Sequence, residues 1–274
     1  MKRPNTVLAL ATLAGALACG DGNVGDLRLR ANGINEAAEG IAAAQTADGW
    51  AVEFDHAVLS LTDVGVRTVA GEEALAEVAP VLVELVPSPQ LAFEIAGLPA
   101  QRWDAFSYHV GPPPADGRTI GVEAAIAERM RAQDWSSYYA GRLVAPAGTV
   151  DEEGAPVTEV PFELGFLVEV DYEFCIAGND GTNGVVVPVN GVGDYEITWH
   201  LTHLFFDSFV EDAALRVEPF AALWDGEGPL TMADLDRPLG GLRAVDGGPL
   251  TDEVGNPVVY IPGMSGADTL REFV

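Results

Sequence analysis

Short runs of alternating apolar and polar residues, repeated between residues 50 and 206, limit the folds open to this chain more than any other feature. In WAVEFD at 50–55 every second side chain is apolar, as in a strand with one buried face. Turn formers such as PSP at 87–89 and GPPP at 111–114 separate the runs. Short strands at this spacing predict a mainly β fold, an antiparallel β-sandwich. The other runs lie at 57–66, 81–86, 91–95, 103–110, 137–144, 162–174, 185–189 and 195–206.

One helix interrupts the predicted strands. Four apolar residues recur at helical spacing, with charged residues between them, and predict a short inserted helix over 122–132. The apolar residues are Val122, Ala125, Ile126 and Met130. Residues 145–158 are rich in Gly, Pro and acidic residues and predict a hairpin excursion between two long strands.

The first eighteen residues are typical of a bacterial export signal. Lys2 and Arg3 begin it, and residues 7–18 are uncharged and apolar but fewer than the roughly 20 that span a bilayer. The run ends in ALACG at 16–20. Its small residues fit an ordinary signal peptidase, and the segment also resembles a lipobox, in which the cysteine is lipidated and becomes the mature N-terminus. We favour lipidation because Cys19 falls at the end of the apolar run, although Ala16 stands where leucine is usual.

The predicted organisation follows from this start. We expect a signal peptide over 1–18, lipidation of Cys19, and an outer membrane lipoprotein that faces the periplasm or the cell surface. Residues 19–48 are small, polar and rich in Ala and Gly, and are predicted to form a tether and lead-in. A β-sandwich domain over 49–210 and a C-terminal loop and helix appendage of the same domain over 211–274 complete the chain.

Charge and cysteine content exclude several functions. The formal net charge is −28, and Lys2 is the only lysine, so neither Schiff-base chemistry nor a P-loop lysine is available to the mature chain. An acidic chain repels phosphate backbones, so no nucleic acid partner is expected. The expected partners are the membrane and a metal ion or surface protein, with the chain a monomer. With Cys19 lipidated, Cys175 has no internal partner and is predicted to pack as a small hydrophobe.

Four short phrases together resemble a group of Gram-negative surface lipoproteins with no assigned activity. They are DGWAVEFD at 48–55, WSSYYAG at 135–141, YEFC at 172–175 and THLFFD at 202–207, within a likeness that extends over about residues 34–274. The resemblance implies a β-sandwich core and a calcium-loop-like segment after the histidine strand. More distantly, the layout resembles periplasmic copper-handling proteins of the methanobactin-partner kind. This chain lacks the late cysteine that would pair with Cys175 in the group, and its calcium-loop-like segment is altered.

Two histidines in the last predicted strand form the first candidate site. Along 195–206, alternation places His203 on the apolar face and His200 on the polar face. Two histidines on opposite faces should not hold one ion unless a bulge intervenes. The alternative is structural, with one histidine hydrogen-bonded at the edge of the core and the other on the surface.

Further side chains extend this candidate site for copper or zinc. His203 and Asp207 share a face if the strand continues, and a histidine oriented by a carboxylate is common at metal sites. His56 and His109 lie on other predicted strands and are additional candidates that would join across the sandwich.

The second candidate site is the segment LWDGEGPLTMAD at 223–234, which aligns with the EF-hand calcium loop. Gly228 takes the sharp-turn position, and the side-chain ligands would be Asp225, Glu227, Thr231 and Asp234. Leu223 replaces the first-position aspartate, and Asp234 replaces a longer glutamate, so only weak calcium binding is expected. The alternative is a relic loop that keeps only its shape.

No catalytic motif is present. The sequence has no G-x-S-x-G, no H-E-x-x-H and no glycine-rich phosphate loop. With 42 acidic residues, a glycosidase-like carboxylate pair is neither supported nor excluded. The sequence therefore predicts a membrane-anchored ligand-binding or metal-binding module that is not an enzyme. A structural or adhesive surface module with vestigial sites and a carbohydrate-active hydrolase are the alternatives.

Overall fold

The computed structural model describes residues 23–71, 73–75, 80–175, 184–208, 210, 213–252, 254–260 and 268–273. Cys19 and the predicted signal peptide lie outside this range. Strand residues make up 43% of the structure and helix residues 15%, which confirms the prediction of a mainly β fold. In this part of the chain no helix has the length and apolar character needed to cross a membrane.

Most elements in the described residues are strands of varied length, and the helices are few and short. The strands are β1 (Val24–Asn32), β2 (Ala51–Arg67), β3 (Glu73–Leu75), β4 (Val81–Glu84), β5 (Gln90–Pro99), β6 (Arg102–Trp103), β7 (Ala105–Val110), β8 (Arg118–Ile120), β9 (Ser137–Val144), β10 (Glu159–Phe166), β11 (Val170–Cys175), β12 (Val185–Val186), β13 (Val192–Thr198) and β14 (Leu230–Thr231). The helices are α1 (Ile34–Glu39), α2 (Ala124–Ala132), α3 (Glu218–Ala221), α4 (Met232–Leu235) and α5 (Leu270–Phe273), with 3₁₀ helices over Ala43–Gln45 and Leu201–Phe205.

The larger sheet is built around β2. Its main path is β11-β7-β2-β9-β10-β14, with β3 and β4 also paired to β2, and β8 paired to β4. The sequence predicted two strands where β2 is continuous, because a register shift against β9 between Phe54 and His56 interrupts the alternation. The hairpin predicted over 145–158 is present between β9 and β10, with Val150 bridged to Pro156.

The smaller sheet has the order β13-β1-β5 and packs on the larger one. Its buried residues include Leu27, Leu29 and Phe93, which belong to the same hydrophobic cluster as Phe54 and Phe162 of the larger sheet. One core between two sheets is the arrangement expected of a sandwich.

Strand β1 corrects the prediction that residues 19–48 form a tether. Leu27 and Leu29 are fully buried and alternate with Arg28 and Arg30, whose guanidinium groups pair with acids on the two neighbouring strands. This short alternating segment lies between stretches rich in Ala and Gly. The tether prediction rests on that composition, whereas the periodicity of the segment is that of a strand.

The sheets are mixed, which corrects the expectation of purely antiparallel pairing. Most neighbours are antiparallel, but β1 pairs parallel with β13, β4 with β8, and β10 with β14. Parallel neighbours need a long connection. Each of these pairs is joined through other elements of the chain, so the requirement is met.

The C-terminal part packs into the same core as the sandwich. Leu223, Leu230, Leu235 and Leu270 are fully buried members of the main cluster, in agreement with an appendage of one domain. The predicted inserted helix is present as α2, and its Ile126, Ala127 and Met130 form a second cluster with Val58, Leu82 and Tyr138. Helix α2 therefore covers the face of β2 and β4 that is turned away from the small sheet.

Candidate functional site

A cleft of about 360 Å³ opens where β13 ends. Strands from the large sheet form its floor, and the chain after β13 forms one wall. Its lining residues are mostly aromatic: Tyr108, Ser137, Tyr139, Phe166, Val168, Tyr172, Thr198, Trp199, His200, His203 and Leu204. Cavities of roughly 300–1,000 Å³ with apolar walls and a few polar groups are typical of small-molecule sites.

The aromatic rings of the cleft hold one another in place. Tyr108 and Tyr172 stack with ring centroids 4.7 Å apart, and Trp199 meets Tyr172 edge to face at 6.5 Å. The indole N–H of Trp199 donates a hydrogen bond of 2.7 Å to the Tyr139 hydroxyl. Burial raises the pKa of Tyr139 to about 12, although the bond from Trp199 opposes the shift, so this hydroxyl is neutral at physiological pH.

His200 and His203 lie side by side at the mouth of the cleft, which corrects the prediction that they point to opposite faces. Strand β13 ends at Thr198, and a 3₁₀ helix covers Leu201–Phe205. Side chains three residues apart eclipse one another in a 3₁₀ helix. The two imidazoles therefore stack, with centroids 5.2 Å apart and ring planes within 10° of parallel.

The surroundings of His203 favour its neutral form. Partial burial lowers the pKa of this imidazole, and the positive charge that His200 carries when protonated lowers it further. The Glu36 carboxylate acts in the opposite direction. Oε2 of Glu36 is buried and has no hydrogen-bond partner in the part of the chain that the structure describes. Glu36 is a member of α1, which sequence reasoning did not connect with the site.

Asp207 forms an ion pair with a buried arginine and not with His203. Its Oδ2 accepts a bond of 2.8 Å from Nε of Arg216, and its Oδ1 accepts from the backbone N–H of Ala214 at 3.1 Å. The side chains of Arg216 and Asp207 are 8% and 18% exposed. Because the strand does not continue to Asp207, the shared face that the sequence predicted for His203 and Asp207 does not form.

His56 and His109 do not join the histidine pair, and neither lines the cleft. Nδ1 of His56 lies 2.8 Å from Oε2 of Glu84, whose Oε1 accepts bonds from two backbone N–H groups. Nδ1 of His109 lies 2.8 Å from Oδ1 of Asp171 on the neighbouring strand. Each of these histidines therefore pairs with a carboxylate elsewhere on the large sheet.

Three of the four candidate ligand side chains of the calcium-like loop, those of Asp225, Thr231 and Asp234, make hydrogen bonds within the protein. Oδ2 of Asp234 accepts from both the backbone N–H and the hydroxyl of Thr231, in a capping box at the start of α4. Oδ1 of Asp225 accepts from the backbone N–H of Glu227. Leu223, at the first position, is fully buried, and its carbonyl accepts a bond of 2.5 Å from Arg237.

A larger cavity of about 590 Å³ lies beside this loop. Acidic residues 151–153 and Asp225 line it together with Arg237 and Arg243. The charges are mixed, and both arginines already donate to backbone carbonyls. Within the described ranges, no group of three or more His, Cys, Asp or Glu side chains is arranged to hold a metal ion.

Sequence reasoning found the histidines of the cleft and missed most of its walls. The phrases at 135–141 and 172–175 contain Tyr139 and Tyr172, but only the fold shows that these rings meet around Trp199. In comparisons with known proteins, no protein-family model, no curated protein and no solved structure matches the chain.

Proposed function

We propose that this chain is a lipid-anchored binding protein without catalytic activity, and that its ligand binds in the aromatic cleft beside His200 and His203. The observation that supports this is the convergence of five aromatic rings and two imidazoles on one cavity. Among the described residues no Asp or Glu lines the cleft, so these residues offer no pair of carboxylates for glycoside hydrolysis.

The chemistry of the lining favours an uncharged ligand that contains a ring. The hydroxyl of Tyr139 is neutral, and the low pKa of His203 keeps its imidazole uncharged near neutral pH. Aromatic faces and edges bind flat or ring-shaped groups. Ser137, Thr198 and the two histidines supply the few hydrogen bonds that would orient such a ligand.

The first test is binding itself. Neutral ring compounds should quench the fluorescence of Trp199, which lines the cleft. They should also raise the melting temperature of the protein, because a ligand at 100 times its dissociation constant stabilises the folded state by about 2.7 kcal/mol. Tyr172→Ala should abolish the shift by removing one wall of the cleft. His109→Ala is the matched control, since His109 lies on the same sheet outside the cleft. Binding that survives Tyr172→Ala unchanged would place the ligand elsewhere.

A transition metal ion is the second candidate ligand, and the stacked histidine pair is the observation that favours it. Neutral imidazoles are the form that binds zinc and copper. Glu36 offers a buried carboxylate oxygen without a hydrogen-bond partner among the described residues, close enough to act electrostatically on His203. Zinc or copper titration of the wild type and of His200→Ala tests this candidate. Equal affinities in the two proteins would rule it out.

The membrane anchor has its own test. Full-length protein expressed in a Gram-negative host should partition into detergent and incorporate labelled palmitate, and Cys19→Ser should abolish the labelling. A soluble, unlabelled wild-type protein would replace the lipoprotein proposal with simple secretion.

A further inference from the structure

An apolar surface lies at the end of the small sheet where the chain leads back toward Cys19. Four exposed valines form it, and we call it the valine tip: Val24, Val186, Val189 and Val192, with 40%, 60%, 52% and 38% of their surface exposed. Isolated exposed valines are ordinary, but a group drawn from three strands and a turn at one end of a sheet marks an interaction surface.

Backbone contacts hold the valine tip together. The N–H of Asn190 donates to the carbonyl of Val24 at 2.7 Å, and the N–H of Asp26 donates to the carbonyl of Gly191 at 2.9 Å. Gly25 permits this close approach, since a Cβ there would lie 2.2 Å from the carbonyl oxygen of Pro188. The turn that carries Val189 is therefore packed directly on the first residues of β1.

The valine tip differs in charge from the rest of the molecule. Segments 23–25, 95–101 and 184–193 meet at this end and contain no charged residue, although 20% of the residues in the chain are charged. The net charge of −28 opposes the approach of most of the surface to an anionic leaflet. Charged residues lie at the border of the valine tip, where Asp26 is opposite Val192 and Arg102 is opposite Val186. The three segments themselves carry no charge, so this end of the molecule can approach lipid at a lower electrostatic cost.

The length of the connection brings this end of the molecule to the membrane. Four peptide units separate Cys19 from Asn23, so a lipid on Cys19 lies at most about 14 Å from the start of β1. A tether this short cannot place the opposite end of the sheet against the bilayer. We propose that the valine tip rests on the lipid surface to which Cys19 is anchored. This inference depends on the lipid anchor of the proposed function.

The sheet topology then sets the direction in which the cleft faces. Strands β1 and β13 run parallel, with Asp26 opposite Val192 and Asn32 opposite Thr198. Both strands therefore start at the valine tip and end together. The cleft begins at Thr198, seven residues along β13, or about 20 Å further from the bilayer at ~3.3 Å per residue. The binding site opens away from the membrane.

Spin labels on full-length protein in phosphatidylcholine vesicles test this orientation. In a Cys175→Ser background, a nitroxide attached to Val189→Cys should lose several-fold in accessibility to a water-soluble nickel chelate and gain accessibility to oxygen, relative to the Cys19→Ser protein in buffer. Leu167→Cys is the matched control, because Leu167 is 59% exposed and lies between Phe166 and Val168 of the cleft. Its label should remain open to the chelate.

Palmitate labelling of the same preparations separates the two proposals. Labelled protein whose Val189→Cys nitroxide stays open to the chelate would overturn docking and leave the anchor intact. Unlabelled, soluble protein would overturn both. Protection that persists in the Cys19→Ser protein and rises with its concentration would assign the valine tip to contacts between copies of the chain, and would likewise overturn docking on lipid.

Discussion

The pair formed by Asp207 and Arg216 gives the sharpest distinction between a structural role and metal binding for Asp207. Nε of Arg216 lies 2.8 Å from Oδ2 of Asp207, and the two side chains are 8% and 18% exposed. Removing one partner of a buried ion pair costs roughly 3–5 kcal/mol, because the other charge is left without compensation. We expect Asp207→Asn to cost about 3 kcal/mol, the lower end of that range, since part of the carboxylate reaches solvent.

Urea unfolding of the soluble Cys19→Ser protein measures this cost by linear extrapolation. The matched control is Glu53→Gln, which breaks the ion pair with Arg142, where the side chains are 36% and 55% exposed. An exposed pair contributes at most about 1 kcal/mol. A second variant tests the cause: adding Arg216→Met to Asp207→Asn also removes the buried guanidinium that has lost this partner, and should recover part of the loss.

The opposite pattern would refute this reasoning. If Asp207→Asn changes the free energy of unfolding of the metal-free protein by less than about 1 kcal/mol and yet lowers the affinity for zinc, then Asp207 is a ligand and the ion pair contributes little. If the double variant is no more stable than Asp207→Asn alone, the loss has a cause other than the buried guanidinium of Arg216.

Three further predictions rest on individual contacts in the structure. The double variant Leu223→Asp with Asp234→Glu should have a lower melting temperature and no gain in calcium affinity by calorimetry. The reason is that Leu223 is fully buried and Asp234 caps α4. A tight calcium site in this variant would show that the loop can adopt EF-hand geometry. Gly165→Ala should destabilise by about 1–3 kcal/mol, since a Cβ there would lie 2.1 Å from the ring of Trp135; an unchanged urea midpoint would contradict it. The pKa of His203 is below its ordinary value, so the folded state binds fewer protons than the unfolded state just below pH 6.5, and stability should fall as the pH drops through that window. His203→Gln should flatten this pH dependence of the urea midpoint, and an unchanged slope would assign the dependence to other groups.

Periodicity recovered most of the large sheet. Strand β9 has the bounds that the sequence predicts, although its first five residues are all buried: Tyr139 packs in the main core, and Tyr138 and Ala140 pack in the cluster formed with α2. The failures come from places where a tertiary contact decides the local structure. Between 195 and 206 the apolar residues continue to alternate, but the chain leaves the sheet after Thr198 and turns into a 3₁₀ helix. Leu201 and Phe205 fit an alternating strand and are also buried in the 3₁₀ helix, so a single sequence does not distinguish the two structures.

The candidate site was harder to predict than the fold for a related reason. Tyr139 lies on β9, Tyr172 lies on β11 and Trp199 directly follows β13, so the three are far apart in the sequence, and each resembles a core residue when taken alone. Only the pairing of β11 with β7, and of β9 with β2, brings their rings together. The calcium-like loop shows the reverse case. The spacing of its candidate ligands is visible in the sequence. The capping bond between Thr231 and Asp234 can be predicted only when the start of α4 is known.

The pairing of β1 with β13 has a consequence for the order in which the molecule is built. Asp26 lies opposite Val192, so the first strand of the chain reaches a partner more than 160 residues later. Closing so long a loop costs conformational entropy before any contact compensates it, and contacts between distant residues slow folding. As the chain emerges, β1 can pair early with β5 but must wait for β13. Strand β1 therefore acquires its final partner among the last steps of folding, and until then one of its edges is exposed to pairing with other chains.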